Sequence, residues 1–389
     1  MPFITRRQLP GLTALALGAV TAFAAEEVRD IDRSGAGRAI PIALSGYTGE
    51  VARVLEFDLE VVGFKVVADN AAGANWTLAG KDAGRVEGTL KDNGQVRLAK
   101  AYSGADLRLQ AHALADDVVK AVQGVPGIAR TRIAFKRDKG GSSEVYVADY
   151  DGHNTVAVSS DGSVVAAPSW VPGQLKLFYT SYVAGNPDIL AHDLGTGKRS
   201  YVARYTGSNM SPAASPDGSM IAMILSKGGS PDLYVAKADG SGLRQLTHTK
   251  EDEASPCWSS DGRTLCFSTR MGGRRVLATV PAAGGAPKRL ATSGVANPSE
   301  PAWSPDGQWI AFTAQMGGFE VCRVKAGGGT AEVLTSGEDP CWAPNSRTLL
   351  YVRRDGRGGR TLSLLDVPTK QRKDVRTGLG SCSQPSWAY

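Results

Sequence analysis

Histidine is scarce in this chain: four residues in 389, at positions 112, 153, 192 and 248. None forms HExxH or an i,i+4 pair, the spacings that place two imidazoles on one helical face for zinc. His112 falls in a helical segment and reads as structural; the other three fall in or beside strands and turns. Five cysteines occur, with no CxxC and no histidine near any of them in sequence, so no zinc site is expected. Their odd number leaves at least one thiol unpaired or joined to another molecule. Cys257 and Cys341 take the same place in two repeats, as small apolar strand residues rather than halves of a bridge. There is no GxSxG elbow, no GxxxxGK[ST] loop and no GxGxxG opening a βαβ unit. Asp149-Tyr150-Asp151-Gly152 resembles a piece of a calcium loop but lacks the further ligands, and reads as a turn. No catalytic residue, metal or cofactor is expected.

A strong charge of one sign is also missing. The formal net charge is +6, too modest to argue for a nucleic-acid partner. Long apolar runs are missing too. Leu12–Val20, after Arg6 and Arg7 and before Ala22-Phe23-Ala24, is too short to span a bilayer and reads as the core of an export signal over residues 1–25. The arginine pair is compatible with twin-arginine as well as general export. No cysteine lies near the cleavage point, so no lipid anchor is expected there, and the mature chain is expected to be exported, soluble and not membrane-embedded.

What the sequence has in quantity is glycine, 47 residues, gathered at turns. Two textures follow the signal. Residues 26–126 alternate helix and strand. Val51, Val54, Leu55, Leu59 and Val62 form one helical stripe, and Phe64–Ala68 reads as a strand. A hairpin turns at Asn93-Gly94, which suits a type I′ turn. An amphipathic helix carries Leu107, Ala111, Leu114, Val118 and Val122 and stops at Gly124 and Pro126. A small α/β domain is expected there.

Residues 127–389 carry short strands only. The hairpin "PAWSPDGQWIAF" from Pro301 has relatives from Pro212, Pro256 and Pro340. Its anchor recurs at Trp170, Ala214, Trp258, Trp303, Trp342 and Trp387, a period of about 44 residues, as in four-stranded propeller blades. Six second strands can be counted. The first repeat lacks its Pro-x-Trp strand and the last residues, "QPSWAY", supply one. The expected architecture is an all-β six-bladed propeller closed by its C-terminal strand, after a small N-terminal α/β domain. The SPDG motif is a turn: Pro305 sets the first corner, Asp306 bonds local backbone and Gly307 goes left-handed. No hydrolase domain of the kind that some propellers cap is expected after Tyr389.

The segments before each inner strand open at one channel mouth. Glu251, Asp252, Glu253, Glu300, Glu338 and Asp339 make that mouth locally acidic. The plain reading is a set of solvated loops; the functional one is a docking surface for a protein or cation. Ser208, Asn209, Ser211, Glu253, Ala254, Ser255, Ser299, Glu300, Glu338 and Asp339 are its candidate residues. Charge reversal at Glu253 and Glu300 is expected to weaken docking with little loss of stability.

Several pieces resemble the TolB family, the exported propellers of the Tol–Pal cell-envelope system. They are "EVRDID" (27–32) before "GRAIPIAL" (37–44), "AHALADDVVKAVQG" (111–124), "GIARTRIAF" (127–135), "VADYDGHN" (147–154) and the final "PSWAY". The resemblance spans the whole mature chain. It implies a non-enzymatic periplasmic scaffold that serves outer-membrane integrity and constriction at division. It implies a monomer outside its complexes, binding the peptidoglycan-associated lipoprotein Pal at the channel mouth. It further implies that the mature N-terminus engages TolA, here through Glu26, Glu27, Val28, Arg29, Asp30, Ile31, Asp32 and Arg33. That segment either docks on the body or is released. Ser208 stands where family members often carry a histidine. The alternatives are an exported propeller holding a small ligand or sugar, or acting as an enzyme, in its channel, and a detached peptidase propeller.

Overall fold

The computed structural model describes residues 37–68, 74–355 and 358–388. The signal segment and the Glu26–Arg33 segment lie outside the described residues. The N-terminal region runs β1 (Ile40–Ser45), α1 (Gly49–Glu60), β2 (Phe64–Val67), β3 (Trp76–Lys81), β4 (Glu87–Asp92), β5 (Gln95–Ala101) and α2 (Leu107–Gln123). The sheet order is β2-β1-β3-β4-β5. β1 is parallel to β2 and β3, and the rest is antiparallel. Asn93 and Gly94 both take positive φ, 47° and 84°, as a type I′ turn requires. The Asp106 carboxylate accepts the amides of Arg108 and Leu109 at 2.8 and 3.3 Å and so caps α2. Gly124, at φ 72°, ends it.

Six four-stranded antiparallel sheets follow. Blade 1 joins Cys382–Trp387 to Arg132–Lys139, Ser142–Asp149 and Val156–Ala157. The expected closure by the C-terminal strand is therefore present, with Trp387 opposite Ile133 and Cys382 opposite Arg137. The inner strands of blades 2 to 6 are Val165–Trp170, Asn209–Ala214, Ala254–Trp258, Ser299–Trp303 and Glu338–Trp342. Some anchor tryptophans reach between neighbours. Trp258 Nε1 donates to the Ala213 carbonyl at 2.9 Å, and Trp342 Nε1 to that of Ala302 at 3.1 Å. Blades 4 and 6 thus cap the inner strand of the blade before them, while Trp170 and Trp303 donate within their own turns, to the Gln174 and Gly307 carbonyls at 3.1 and 3.2 Å. The apolar faces of adjacent blades share their cores, as in Phe178, Ile221, Met223 and Tyr234 between blades 2 and 3.

The SPDG hairpin is the turn that its residues dictate. Gly307 N–H donates to the Ser304 carbonyl at 2.9 Å, and Asp306 accepts from the Ser304 hydroxyl at 2.5 Å and the Gln308 amide at 3.0 Å. The aspartate spends its lone pairs on the turn.

The N-terminal region and the propeller are not independently packed. Leu55, Leu59, Phe64, Leu114 and Val118 share one cluster with Ile133, Phe135, Leu350, Leu364 and Trp387 of blades 1 and 6. Polar ties cross the same boundary: Gln371 Nε2 to the Phe64 carbonyl at 3.0 Å, and the Ala129 amide to Asp116 Oδ1 at 2.8 Å. From Gly37 onward the chain forms one compact unit.

Candidate functional site

Every inner strand carries one irregularity at the same place. The register against the second strand breaks at Ser299/Ala302, at Glu338/Cys341 and at the matching step of each other blade. Inside each break one residue is left-handed: Ala167, Ser211, Ser255, Glu300, Asp339 and Gln384, with φ between 49° and 53°. Each precedes a proline, which already disfavours the right-handed helical region for it. A non-glycine residue held left-handed costs on the order of 1–3 kcal/mol. Six such residues in one ring are a repeated, strained feature of the kind that gathers at functional sites. Together with their prolines they line the central cavity, of about 190 Å³.

Side chains of this ring reach the next blade. Glu300 accepts the Asp339 amide at 3.2 Å and the Thr313 hydroxyl at 2.6 Å. Asp339 Oδ2 accepts the Gln384 amide at 3.0 Å, and Gln384 Oε1 accepts the Ala167 amide at 2.9 Å. The relay runs from blade 5 through blade 6 and the closing strand into blade 2. Burial pushes the Asp339 carboxyl well above the usual range, and the Glu300 charge beside it adds to the shift. Both effects favour the protonated form of Asp339 beside Glu300.

Four of the ten candidate mouth residues, Ser211, Ser255, Glu300 and Asp339, are ring residues. Asn209, Ala254, Ser299 and Glu338 lie one or two positions earlier on the same strands, and Ser208 and Glu253 immediately precede theirs. The expectation that their charges face solvent is corrected here. Glu253 is 2% exposed and accepts from the hydroxyls of Thr247, Thr249 and Thr269 at 3.0, 2.8 and 3.2 Å. Burial lifts its pKa to about 7, with the neighbouring Asp232 adding to the effect. Glu338 is 7% exposed and is neutralised by Arg354, at 2.8 and 2.6 Å, and by Arg360 at 3.2 Å. Asn209 is fully buried and staples its own loop through the Tyr205 amide and carbonyl, both at 2.9 Å. Charge reversal at Glu253 would force a longer cationic side chain into a buried site beside Asp232, so it does not spare stability.

Of the six acidic residues of the mouth, Glu253 and Glu338 are buried, Glu300 and Asp339 are half-buried, and Glu251 and Asp252 stay exposed, and the exposed rim carries apolar side chains beside them. Inner strands start at the mouth and second strands return to it, so the loops after the second strands open there too. Those loops expose Val183 and Met316, at 47% and 39%, and Val164 just before an inner strand is 39% exposed. Sequence reasoning missed this rim because single apolar residues in loops carry no periodic signal. It also missed Ala167 and Gln384, which aligning the x-Pro-x-Trp repeats alone would have found. Among the described residues no three His, Cys, Asp or Glu side chains come together as metal ligands would. No described helix is long and apolar enough to cross a membrane.

Fold and site define a six-bladed β-propeller, sealed by its own last strand and joined through a shared core to an N-terminal α/β region. A family model described as the TolB beta propeller domain matches residues 119–389. The chain is 34% identical over 296 residues to the Tol-Pal system protein TolB of Anaeromyxobacter dehalogenans strain 2CP-C, covering 66% of this chain and 68% of that one. It is 33% identical over the same length and shares to the protein of that name from Anaeromyxobacter sp. strain K. The chain belongs to the TolB family. The crystal structure of TolB from Acinetobacter baumannii superposes with a TM-score of 0.81 at 23% identity, covering 91% of this chain and 97% of that one, and shows the same fold.

Proposed function

We propose that this chain is the TolB component of a Tol–Pal system. In this reading it is a non-enzymatic scaffold in the periplasm, exported by a cleaved signal over residues 1–25. The channel mouth binds a Pal-like lipoprotein, and Glu26–Arg33 engages a TolA-like inner-membrane protein. Neither partner is nucleic acid, and the scaffold is a monomer outside its complexes. Its role is to maintain the outer membrane and draw it in at division. Family membership and the printed names of the relatives support the system.

The observation that carries the docking site is the ring of six left-handed residues under a rim that exposes Val164, Val183 and Met316 beside Glu251 and Asp252. Rigid backbone with apolar side chains around a concave centre suits a protein partner, whose hot spots are apolar and desolvated. A cavity of about 190 Å³ is smaller than the roughly 300–1,000 Å³ of small-ligand pockets, which weighs against a sugar or metabolite in the channel.

The test is calorimetric titration of the intact protein with the soluble domain of the lipoprotein from the same organism. Val183→Asp combined with Met316→Asp should weaken binding at least about tenfold with an unchanged melting curve. Equal affinity for the variant would remove the mouth as the docking face.

A further inference from the structure

One buried polar cluster lies outside the propeller mouth, where α1, α2 and blade 1 meet. Asp58 of α1, His112 of α2 and Tyr150 after the third blade-1 strand are each at most 2% exposed, and Asp151 is 9% exposed. His112 Nδ1 is 2.7 Å from Asp58 Oδ2, and the Tyr150 hydroxyl donates to Asp58 Oδ1 at 2.5 Å. On the other side of the imidazole, Nε2 faces Asp151 Oδ2 at 3.7 Å and has no hydrogen-bond partner. Arg108, one turn earlier on α2, donates to Asp151 and, at 3.1 Å, to Glu50 of α1.

Among the buried groups, Asp58 and Asp151 are two anions and Arg108 supplies one cation; Glu50, the other partner of Arg108, is half exposed to water. A proton held on the His112–Asp58 pair completes the buried set; its loss leaves an excess negative charge away from water, which is costly. The network also spans the two parts of the molecule, since Asp58 and His112 belong to the N-terminal region and Tyr150 and Asp151 to the propeller.

We propose that His112 is a pH-sensitive clamp, which holds α1 and α2 against blade 1 as an imidazolium and loosens them when it loses its proton. The groups that face it are Asp58 and Glu50 from α1, Arg108 and Asp116 from α2, and Tyr150 and Asp151 from blade 1. Asp116 is tied down by the Ala129 amide and by Arg130, both at 2.8 Å. Burial alone would pull the His112 pKa down, but the charge and hydrogen bond of Asp58, helped by Asp151, outweigh it and the net shift is upward from 6.5. Burial also lifts Asp58, so both shifts favour keeping the proton on the pair. A raised pKa gives stability that is complete below the unfolded value, near 6.5, and is lost as pH rises through the folded one. Arg108 and Asp151 also line a cleft of about 730 Å³ that reaches Arg53 of α1 and Arg372 and Arg376 of blade 6. Loosening the clamp opens this cleft.

The test follows the intact protein from about pH 5.5 to 9, a range that brackets a histidine titration. Nitrogen NMR of the imidazole reads the His112 charge, and amide exchange, corrected for its intrinsic pH dependence, reads the helices. His112 should titrate above 6.5, with protection of α1 and α2 falling at least about tenfold in step and blades 3 and 4 unchanged. His112→Gln should show low, pH-independent protection in α1 and α2. A wild-type midpoint at or below 6.5 overturns the proposal, as does α1 and α2 protection that stays constant while His112 titrates. A His112→Gln protein with the wild-type pH profile overturns it too. If that variant does not fold, the wild-type midpoint and exchange profile decide alone.

Discussion

Trp387 is where closure of the ring can be weighed. The side chain is 1% exposed, on the strand that joins the last blade to the first. Its indole N–H donates to the Thr131 hydroxyl at 2.7 Å. A buried tryptophan removes roughly 150–250 Å² from water, which at about 25 cal/mol per Å² is on the order of 4–6 kcal/mol. The hydrogen bond adds about 1 kcal/mol. That total is an upper bound, because alanine keeps part of the area and the site relaxes in part. Trp387→Ala should therefore cost about 4–5 kcal/mol, inside the 3–5 kcal/mol range of such truncations. Trp387→Phe keeps most of the apolar area and should cost about 1–2 kcal/mol. Trp309→Ala is the comparison: that ring is half-buried, under Arg323 and Lys325 at 4.0 and 3.8 Å, and should cost nearer 1 kcal/mol. Urea unfolding followed by far-UV circular dichroism measures all three, with the slope checked for constancy so that the midpoints are comparable. A Trp387→Ala loss no larger than that of Trp309→Ala would falsify the view that the last strand seals the ring.

Two further predictions concern the carboxyls under the mouth. Glu253, raised to about 7, destabilises the fold as pH climbs through that value; Glu253→Gln should flatten the stability–pH curve between about 4.5 and 7, and Glu253→Lys should cost about 1–3 kcal/mol, because the longer side chain overpacks the site even with Asp232 beside its charge. Melting curves across that pH range check both, and a Gln variant with the wild-type slope would count against the burial argument. Burial and Glu300 favour a proton on Asp339, so Asp339→Asn should change stability at neutral pH by less than about 1 kcal/mol, because the amide can still accept from Gln384 and donate to Glu300. A loss of several kcal/mol in the urea midpoint would mean that the carboxylate form is the one the ring needs.

The propeller was legible because its information is local and repeated. Pro-x-Trp, SPDG and alternating apolar residues each specify a piece of a blade, and six copies overdetermine the count. The closing strand was legible from the arithmetic of an incomplete first repeat and a surplus last one. The N-terminal helices and the Asn93-Gly94 hairpin followed from periodicity and turn chemistry. What could not be read was which acidic residues point inward. Glu253 and Glu251 are two residues apart in a polar loop, yet one is buried under three threonines and the other is exposed. That difference is set by Thr269, on the next strand, and by Asp232, from the preceding blade. The interface cluster was hidden for the same reason. Asp58, His112 and Tyr150 lie 54 and 92 positions apart along the chain from the first of them, and only the packing of α1 and α2 on blade 1 brings them together.

That packing ties two features together that look separate along the sequence. The Trp387 ring lies 6.3 Å from the Tyr150 ring, and the Tyr150 hydroxyl is bonded to Asp58. The residue that closes the propeller thus packs against the residue that receives the N-terminal helices. A loosened last strand removes the wall behind Tyr150, and a displaced α1 removes the partner of its hydroxyl. Interactions that share a partner do not add independently. Removing either side leaves Tyr150 with less to lose, so Trp387→Phe combined with Asp58→Asn should cost less than the sum of the two single changes. The size of that shortfall measures how far ring closure and docking of the N-terminal region are one event rather than two.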